Sequence, residues 1–351
     1  MIQDQTDLEL EGIHKIASKP AIVVARPDVE SQAEQAISYL SSQEAFESVG
    51  IDPYWPKWNS PWWQMLLLHE MGLVAQIPKE IVERMIDALN EHYLKFFPFT
   101  EEELPAGRDV FSDVPCHCQL GTMHRLLTDY GVTVGTRLSW IKPWYLRYQL
   151  PDGGLNCDEA AYTRHLAKSS VVSTLPPMEA MLNDNSENLT CDEIAFLDRG
   201  ADYLIEKRLF RKTSNCEPID RDWLKLCFPR FYHYDCLRGL SLLLNWSHKL
   251  KRPVPLSAIK ETVHHIDANF PDGKISVERT ACAGANSRWW DASKQSWFKA
   301  PAASFPLLDA VSRAGIESHF LTDIWNQAKS SVMSLMDENL IATGGHEIPR
   351  Q

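Results

Sequence analysis

The feature that most constrains this chain is an alternation between two classes of helical segment. The first class spaces apolar residues three or four positions apart, which predicts amphipathic helices with one polar face. The second class is apolar on more sides, which predicts buried helices. The first class occupies 33–42, 81–97, 138–148, 194–209, 256–268 and 320–335, and the second occupies 62–71, 120–130, 171–182, 236–246 and 305–311. This alternation is typical of an α/α barrel, in which half-exposed outer helices surround buried inner ones.

A short internal repeat also favours paired helices. The sequences LPDGGL at 150–155 and FPDGKI at 270–275 each close a helical segment, and their separation fits two helical pairs with long loops. Sustained period-two alternation does not occur in the sequence, so no substantial sheet is expected. We predict an all-α fold, an α/α toroid (α/α barrel) of about five to six helical hairpins around a central cavity. The toroid domain is predicted at 30–343, with 1–29 as an N-terminal extension and 344–351 as a C-terminal tail.

The charge of the chain limits its partners. It carries 35 Lys and Arg against 47 Asp and Glu, a formal net charge of −12. Because a phosphate backbone is bound by basic surfaces, nucleic acid is not an expected partner. The N-terminus is acidic and unlike a signal peptide, and apolar runs are too short to form a transmembrane segment. We expect a cytoplasmic protein, and the sequence leaves its oligomeric state open.

Several segments resemble the prenyltransferase and squalene-cyclase-like α/α toroid superfamily, and more narrowly a bacterial branch of it without an established reaction. They are 56–60 (PKWNS), 149–157 (QLPDGGLNC), 168–170 (KSS), 208–211 (RLFR), 228–235 (FPRFYHYD) and 237–238 (LR). The resemblance covers about residues 35 to 315. It implies a toroid enzyme, like a terpenoid cyclase or a prenyltransferase, that binds a hydrophobic, isoprenoid-like substrate.

The chain departs from the two best-known chemistries of that superfamily. The Asp-x-Asp-Asp motif with which squalene-type cyclases protonate a polyene does not occur in the sequence. The Asp-x-Cys zinc pair of protein prenyltransferases is replaced by two adjacent residues, Asp235 and Cys236, and Lys168 stands where this branch carries a histidine. The resemblance therefore implies a fold and a ligand class rather than a particular reaction.

The candidate acid–base residues lie where inner helices begin. Parallel inner helices bring their first residues to one rim of the cavity, and that rim includes Asp158, Glu159, His233 and Asp235. A carboxylate and an imidazole in contact can transfer a proton. The alternative interpretation is that Asp158 and Asp235 cap helices, with Asp235 also paired to a buried arginine.

Aromatic and basic residues near the same rim are the candidate substrate contacts. Indole faces stabilise carbocations, stack on sugars or fill space between helices, and arginine binds anionic groups. The candidates are Trp58, Trp62, Trp63, Lys168, Arg230, Tyr234, Arg238 and Trp289. The chain has 12 tryptophans. This number, together with the candidates above, predicts an aromatic-lined cavity.

No cofactor is predicted, because the sequence contains neither a Gly-x-Gly-x-x-Gly run nor a P-loop. The eight scattered cysteines indicate reduced thiols rather than a disulfide framework. Zinc is the one alternative, bound by Cys116, Cys118 and Cys157 with His117 or His233. The spacing lacks a Cys-x-x-Cys pair, and cysteine is a commonly buried residue type, so buried thiols without a metal are the default interpretation.

Three functions remain open on this sequence. The first is a cyclase or transferase acting by acid–base catalysis on an isoprenoid-like small molecule. The second is a carbohydrate-active α/α-barrel enzyme, a glycosidase or lyase that uses paired carboxylates such as Asp158, Glu159 and Asp235. The third is a non-catalytic toroid that binds a ligand or a protein. The fold alone does not decide between them.

Overall fold

The protein is mainly helical, as the sequence predicts. The computed structural model describes residues 2–91, 116–162, 167–184, 189–280, 282 and 286–343. Helix accounts for 57% of the structure, and the described part of the chain contains fourteen α-helices and a few short strands. The helices are α1 (Ile2–Ala17), α2 (Glu30–Leu40), α3 (Gln43–Ile51), α4 (Pro61–Glu70), α5 (Lys79–Glu91), α6 (His117–Tyr130), α7 (Val134–Arg137), α8 (Ile141–Arg147), α9 (Val171–Asn183), α10 (Cys191–Glu206), α11 (Cys236–Leu250), α12 (Leu256–Asn269), α13 (Pro306–Val311) and α14 (His319–Asp337).

Each segment predicted to be helical overlaps one of these helices. The buried class corresponds to α4, α6, α9, α11 and α13, and the amphipathic class to α2, α5, α8, α10, α12 and α14. Residues 61–68 of α4 are all buried. In α5 the buried positions lie on one face, at Ile81, Val82, Met85, Ile86, Ala88 and Leu89. The end of the predicted segment 81–97 lies outside the described residues.

Side chains at the first turns explain where several helices begin. The Thr190 hydroxyl and the Glu193 carboxylate form a reciprocal capping box at α10. Asp235 precedes α11 and accepts a hydrogen bond from the backbone N–H of Arg238 at 2.8 Å. Ser318 caps α14 in the same way. Such caps satisfy backbone N–H groups that have no partner within the helix. The helix-capping interpretation of Asp235 is therefore confirmed.

The buried helices pack against one another in succession. Helix α4 contacts α6, α6 contacts α9, and α9 contacts α11, while α11 also contacts the amphipathic helix α14. Of the described elements, α6 and α9 share the most extensive contact. Helix α10 packs on α9 and α11, and α12 packs on α10 and α11. Closure of this row into a ring stays a prediction.

Gly121 explains why α6 and α9 approach so closely. It faces the backbone between Pro176 and Pro177, two prolines inside α9. Proline in a helix interior removes backbone hydrogen bonds and distorts the helix. A residue without a side chain allows the distorted turn of α9 to lie directly against α6.

One region differs from the sequence expectation. Residues 286–301, which include the rim candidate Trp289, form an antiparallel hairpin. The hairpin consists of β2 (Asn286–Asp291) and β3 (Ser296–Pro301). The two other short strands, β1 (Val254–Pro255) and β4 (Ile341–Ala342), pair in parallel with each other. Asp291 accepts hydrogen bonds from the backbone N–H groups of Ser293 and Lys294, which stabilises the turn between β2 and β3. Period-two alternation is missing because most of the hairpin residues on both faces are at least partly exposed.

The N-terminal segment 1–29 also contributes to the packing. It contains α1, which packs against α12 and α14, and its Ile13 is fully buried. One continuous hydrophobic core extends from Ile13 to Ile341. In the described parts of the chain, no helix combines the length and the apolar character needed to cross a lipid bilayer.

Replacing Gly121 by alanine is expected to destabilise the protein. The new methyl group would overlap the backbone of Pro176 and Pro177, so α6 and α9 must separate, at a cost above about 2 kcal/mol in the free energy of unfolding. Urea unfolding followed by circular dichroism measures this cost. Gly135→Ala in α7 is the matched control, because its methyl group meets open space and should leave stability unchanged or slightly higher. Equal stability of the two variants would contradict the close helix approach.

Candidate functional site

Three cysteines from distant parts of the sequence converge at the start of α6. Cys116 is the residue before α6, Cys118 lies in its first turn, and Cys157 comes from the loop that leads to α9. The Sγ atoms of Cys116 and Cys118 are 3.1 Å apart, and those of Cys118 and Cys157 are 3.6 Å apart. All three sulfur atoms lie within 4.8 Å of one another. The structure thus gathers the thiols that the sequence offered as a zinc alternative.

The environment of this thiol cluster favours negative charge on Cys157. Its sulfur accepts a hydrogen bond from the backbone N–H of Cys118 at 3.5 Å. Burial alone would raise the pKa of Cys157, but hydrogen bonds with Cys116 and Cys118 and the nearby His117 outweigh it and hold the pKa well below its usual range. The positive end of α6 adds to this effect.

His117 supports the cluster rather than joining it. Its Nδ1 accepts a hydrogen bond from Trp144 Nε1 at 2.8 Å, so the ring proton is on Nε2, which donates to the hydroxyl of Tyr162 at 2.8 Å. Tyr162 in turn donates to the carbonyl of Asn156 and fixes the loop that carries Cys157. Burial lowers the pKa of His117 to about 4. Because both ring nitrogens are occupied, this histidine does not point a free nitrogen at the sulfur atoms.

A lysine surrounded by aromatic rings adjoins the thiols. Lys57 Nζ lies 5.6–5.9 Å from the ring centroids of Tyr54, Trp55, Trp58 and Tyr232. It donates a hydrogen bond to the Tyr232 hydroxyl at 3.2 Å. Burial lowers the pKa of Lys57, and the thiols of Cys116 and Cys118 act in the opposite direction. Lys57 is therefore electrostatically coupled to the cluster.

The predicted aromatic contacts are mostly packed in the core. Trp58, Trp62 and Trp63 are 2%, 1% and 0% exposed, and the rings of Trp58 and Trp63 pack at 4.4 Å. Tyr234 is buried and donates to a backbone carbonyl. Trp289 lies in β2 rather than at a helix start, and its indole donates to the carbonyl of residue 301. These rings do not line the cavities described below, and their contact with a substrate stays a prediction.

The predicted acid–base residues lie in different environments. Asp235 is fully buried and accepts hydrogen bonds at the start of α11, whereas Asp158 is exposed. His233 packs against Trp58 and Tyr232, and burial lowers its pKa to about 3. Its Nε2 is buried without a hydrogen-bond partner in the described part of the chain.

The last two predicted residues lie near the thiol loop. Glu159 begins a 3₁₀ turn, Glu159–Tyr162, but its side chain lies outside the described residues. Lys168 is exposed, and its carbonyl accepts a hydrogen bond from the Asn156 side chain. Acid–base catalysis by Asp158, Glu159, His233 and Asp235 stays a prediction.

A second candidate site is a polar cavity between the buried helices. It has a volume of about 400 Å³ and receives residues from α4, α6, α9, α11, α14 and the loop before α11. Its ionisable residues are His69, Glu70, Arg125, Asp129, Glu179, Arg230 and Arg238. A cavity of about 320 Å³ adjoins it and shares Arg125, Glu179, Arg230 and Ile324. We call the two together the arginine cavity.

The carboxylates of the arginine cavity already have partners. Glu179 forms a bidentate pair with Arg238, at 2.9 and 2.6 Å. Burial opposes ionisation of Glu179, but the charges of Arg238 and Arg125 outweigh it and lower its pKa to about 2. Glu70 accepts hydrogen bonds from two backbone N–H groups, those of Arg230 and the residue after it. Asp129 pairs with His69 at 2.6 Å.

Two arginines in this cavity are less well matched. Arg125 comes no closer than 3.6 Å to Glu179 and 4.0 Å to Asp129, and its side chain is 37% exposed. The Nε and Nη1 atoms of Arg230 are buried without a hydrogen-bond partner among the described residues. The sequence pattern indicated Arg230 and Arg238 but not Glu70, Arg125 and Glu179. These three could have been found as charged residues within helices that are otherwise buried.

Comparisons of this chain with models of protein families, with curated protein sequences and with solved structures gave no match. The function is therefore argued from the two sites themselves.

The stability of the protein is expected to fall as the pH is lowered from about 7 to about 5. In this range the unfolded chain protonates His117, whose ordinary pKa is 6.5, while the folded protein, with a pKa of about 4, does not. Between pH 7 and pH 5 this difference costs roughly 2 kcal/mol, and the cost approaches about 3 kcal/mol near pH 4. His233 acts in the same direction, whereas Glu179 titrates at lower pH.

Urea unfolding at several pH values measures this dependence. His117→Gln should reduce the slope without abolishing it, because His233 remains. His264→Gln alters an exposed histidine and should keep the wild-type slope. A wild-type slope in His117→Gln would show that His117 is not held neutral by burial.

Proposed function

We propose that the protein binds an amphipathic organic anion of the isoprenoid phosphate or diphosphate class, with its charged group between Arg125 and Arg230. The observation that carries this proposal is the guanidinium of Arg230, which lines the arginine cavity and has two buried nitrogen atoms, Nε and Nη1, without a hydrogen-bond partner among the described residues. A buried charged donor without an acceptor is costly. An anion that enters the cavity would remove that cost.

The charge pattern favours an external anion over an internal partner. Glu179 is committed to Arg238, Glu70 to backbone N–H groups and Asp129 to His69. Arg238 also donates to the carbonyls of Phe231 and His233, so it positions the loop instead of facing a ligand. Arg125 and Arg230 are thus the guanidinium groups with free donor capacity, and a phosphate matches that geometry.

An adjoining groove offers room for an apolar chain. It has a volume of about 700 Å³ and shares Glu70, Gly72 and Ile324 with the arginine cavity, and its lining includes the apolar residues Pro27, Val29, Ala33, Met71, Leu73 and Phe320. The cavity and the groove each have a volume in the range of small-molecule sites, roughly 300–1,000 Å³. An isoprenoid chain in the groove and its phosphate in the cavity would use both surfaces.

The same cavity supports the predicted toroid. Four of the five predicted inner helices, α4, α6, α9 and α11, contribute residues to it, together with the amphipathic helix α14. An acid–base reaction is less well supported, because Asp235 caps a helix and Asp158 is exposed. Glu179 is ionised at neutral pH and suits ligand orientation better than proton donation.

The carbohydrate-active alternative has weaker support. It requires two carboxyl groups that face a common substrate. Asp158 and Asp235 differ in burial and line none of the three cavities described here. The carboxylates that do line the arginine cavity are engaged in ion pairs or backbone hydrogen bonds.

Isothermal titration with four ligands tests the proposal. Farnesyl diphosphate is expected to bind more tightly than farnesol, which lacks the anion, and than inorganic diphosphate, which lacks the chain. A long-chain fatty acid distinguishes a general lipid anion from a phosphate. Absence of binding by all four at about 1 mM, where binding would be worth about 4 kcal/mol, would refute the proposal.

Arg230→Gln should weaken farnesyl diphosphate binding by about 10- to 100-fold, because a charge-assisted hydrogen bond contributes about 1.5–3 kcal/mol. Arg252→Gln is the matched control, since Arg252 is an exposed arginine paired with Asp198 away from the cavity. Equal losses in both variants would point to a general effect of charge and contradict a site at Arg230.

A further inference from the structure

We propose that Cys116, Cys118 and Cys157 form a zinc site with three thiolate ligands and an open fourth position. The inference rests on the thiol cluster alone and is independent of anion binding in the arginine cavity. Zinc prefers tetrahedral coordination by thiolate and imidazole, and a site with three protein ligands leaves one position for water or a bound molecule.

The spacing of the sulfur atoms suits a zinc ion. Tetrahedral coordination with Zn–S bonds of about 2.3 Å places sulfur atoms about 3.8 Å apart. The measured separations are 3.1 Å for Cys116 and Cys118 and 3.6 Å for Cys118 and Cys157, with all three within 4.8 Å. Small side-chain rotations are enough to reach the required geometry. Cysteines that only fill space have no reason to direct three sulfur atoms at one point.

The surroundings compensate the charge of such a site. Three thiolates and one zinc ion leave a net negative charge. The N-terminal end of the fourteen-residue helix α6, at which Cys116 and Cys118 lie, is the positive end of the helix dipole. The backbone N–H of Cys118 donates to the sulfur of Cys157, an interaction that stabilises a thiolate.

The ligand positions are held by surrounding hydrogen bonds. The backbone N–H of Cys157 donates to the Ser173 hydroxyl at 3.0 Å, which ties the loop to α9. The Tyr162 hydroxyl forms hydrogen bonds with the backbone N–H and the carbonyl of Asn156, and it accepts a hydrogen bond from Nε2 of His117. Such outer contacts orient metal ligands and raise affinity. The site is therefore formed by the fold before a metal enters.

Metal analysis of the full-length protein tests the proposal directly. Protein produced with zinc in the medium and purified with a reductant but without a chelator should contain one zinc ion per chain. After exchange into cobalt, the absorption spectrum should show the thiolate-to-cobalt charge-transfer band of a tetrahedral site. A zinc content near zero, or a cobalt complex without that band, would overturn the proposal, and neither result depends on a variant that must fold.

Single substitutions identify the ligands. Cys116→Ser, Cys118→Ser and Cys157→Ser should each weaken zinc binding by more than about 100-fold in competition with a chelator, since even the loss of an outer contact costs about 10- to 100-fold. Cys191→Ser and Cys216→Ser remove exposed thiols and should bind zinc as the wild type does. Wild-type affinity in any of the first three variants, with circular dichroism showing a folded chain, would exclude that residue and the three-thiolate site.

Discussion

Both candidate sites depend on the contacts that the guanidinium group of Arg238 makes. From the first turn of α11 it makes a bidentate pair with Glu179 of α9 and donates to the carbonyls of Phe231 and His233, each at 2.8 Å. Loss of one partner from a buried pair of this kind costs about 3–5 kcal/mol, because a buried charge is left without compensation. One side chain thus ties α9, α11 and the loop before α11 together.

That loop serves both sites. Arg230 of this loop lines the arginine cavity. Two and three residues later, Tyr232 contacts Lys57 and His233 packs against Trp58. Glu70 at the end of α4 holds the same loop through two backbone N–H groups. The ion pair of Arg238 therefore does more than stabilise: it sets the direction in which neighbouring side chains point.

Helix α6 connects the two sites along its length. Cys118 lies in its first turn, Gly121 allows the close approach of α9, and Arg125 faces the arginine cavity. Seven residues of α-helix separate Cys118 from Arg125, a rise of about 10 Å. A metal with an open position and a bound anion would thus lie within the reach of one small molecule, because the tightly packed pair α6 and α9 supports both.

Local pattern in the sequence determined the helices. The apolar spacing of 81–89 and the stretch 61–68, which is apolar except for Gln64, each specify how much of a helix is buried, and burial depends on nearby residues. The same reasoning offered helix capping as the alternative role of Asp235, because capping involves only a few successive residues. The hairpin at 286–301 was not predicted, because strands without a buried face show no alternation of apolar and polar residues.

Only the tertiary structure decided which distant groups meet. The sequence offered Cys116, Cys118 and Cys157 as a weak zinc alternative, and it offered Arg230 without revealing Glu179 or Arg125 beside it. Convergence of residues 118 and 157, or of 125 and 230, depends on the packing of α6 on α9 and on the loop held by Arg238. Packing also placed Trp62 and Trp63 in the core, away from the described cavities. The physical reason is that the period of a helix encodes which face is buried, but not which other face it is buried against.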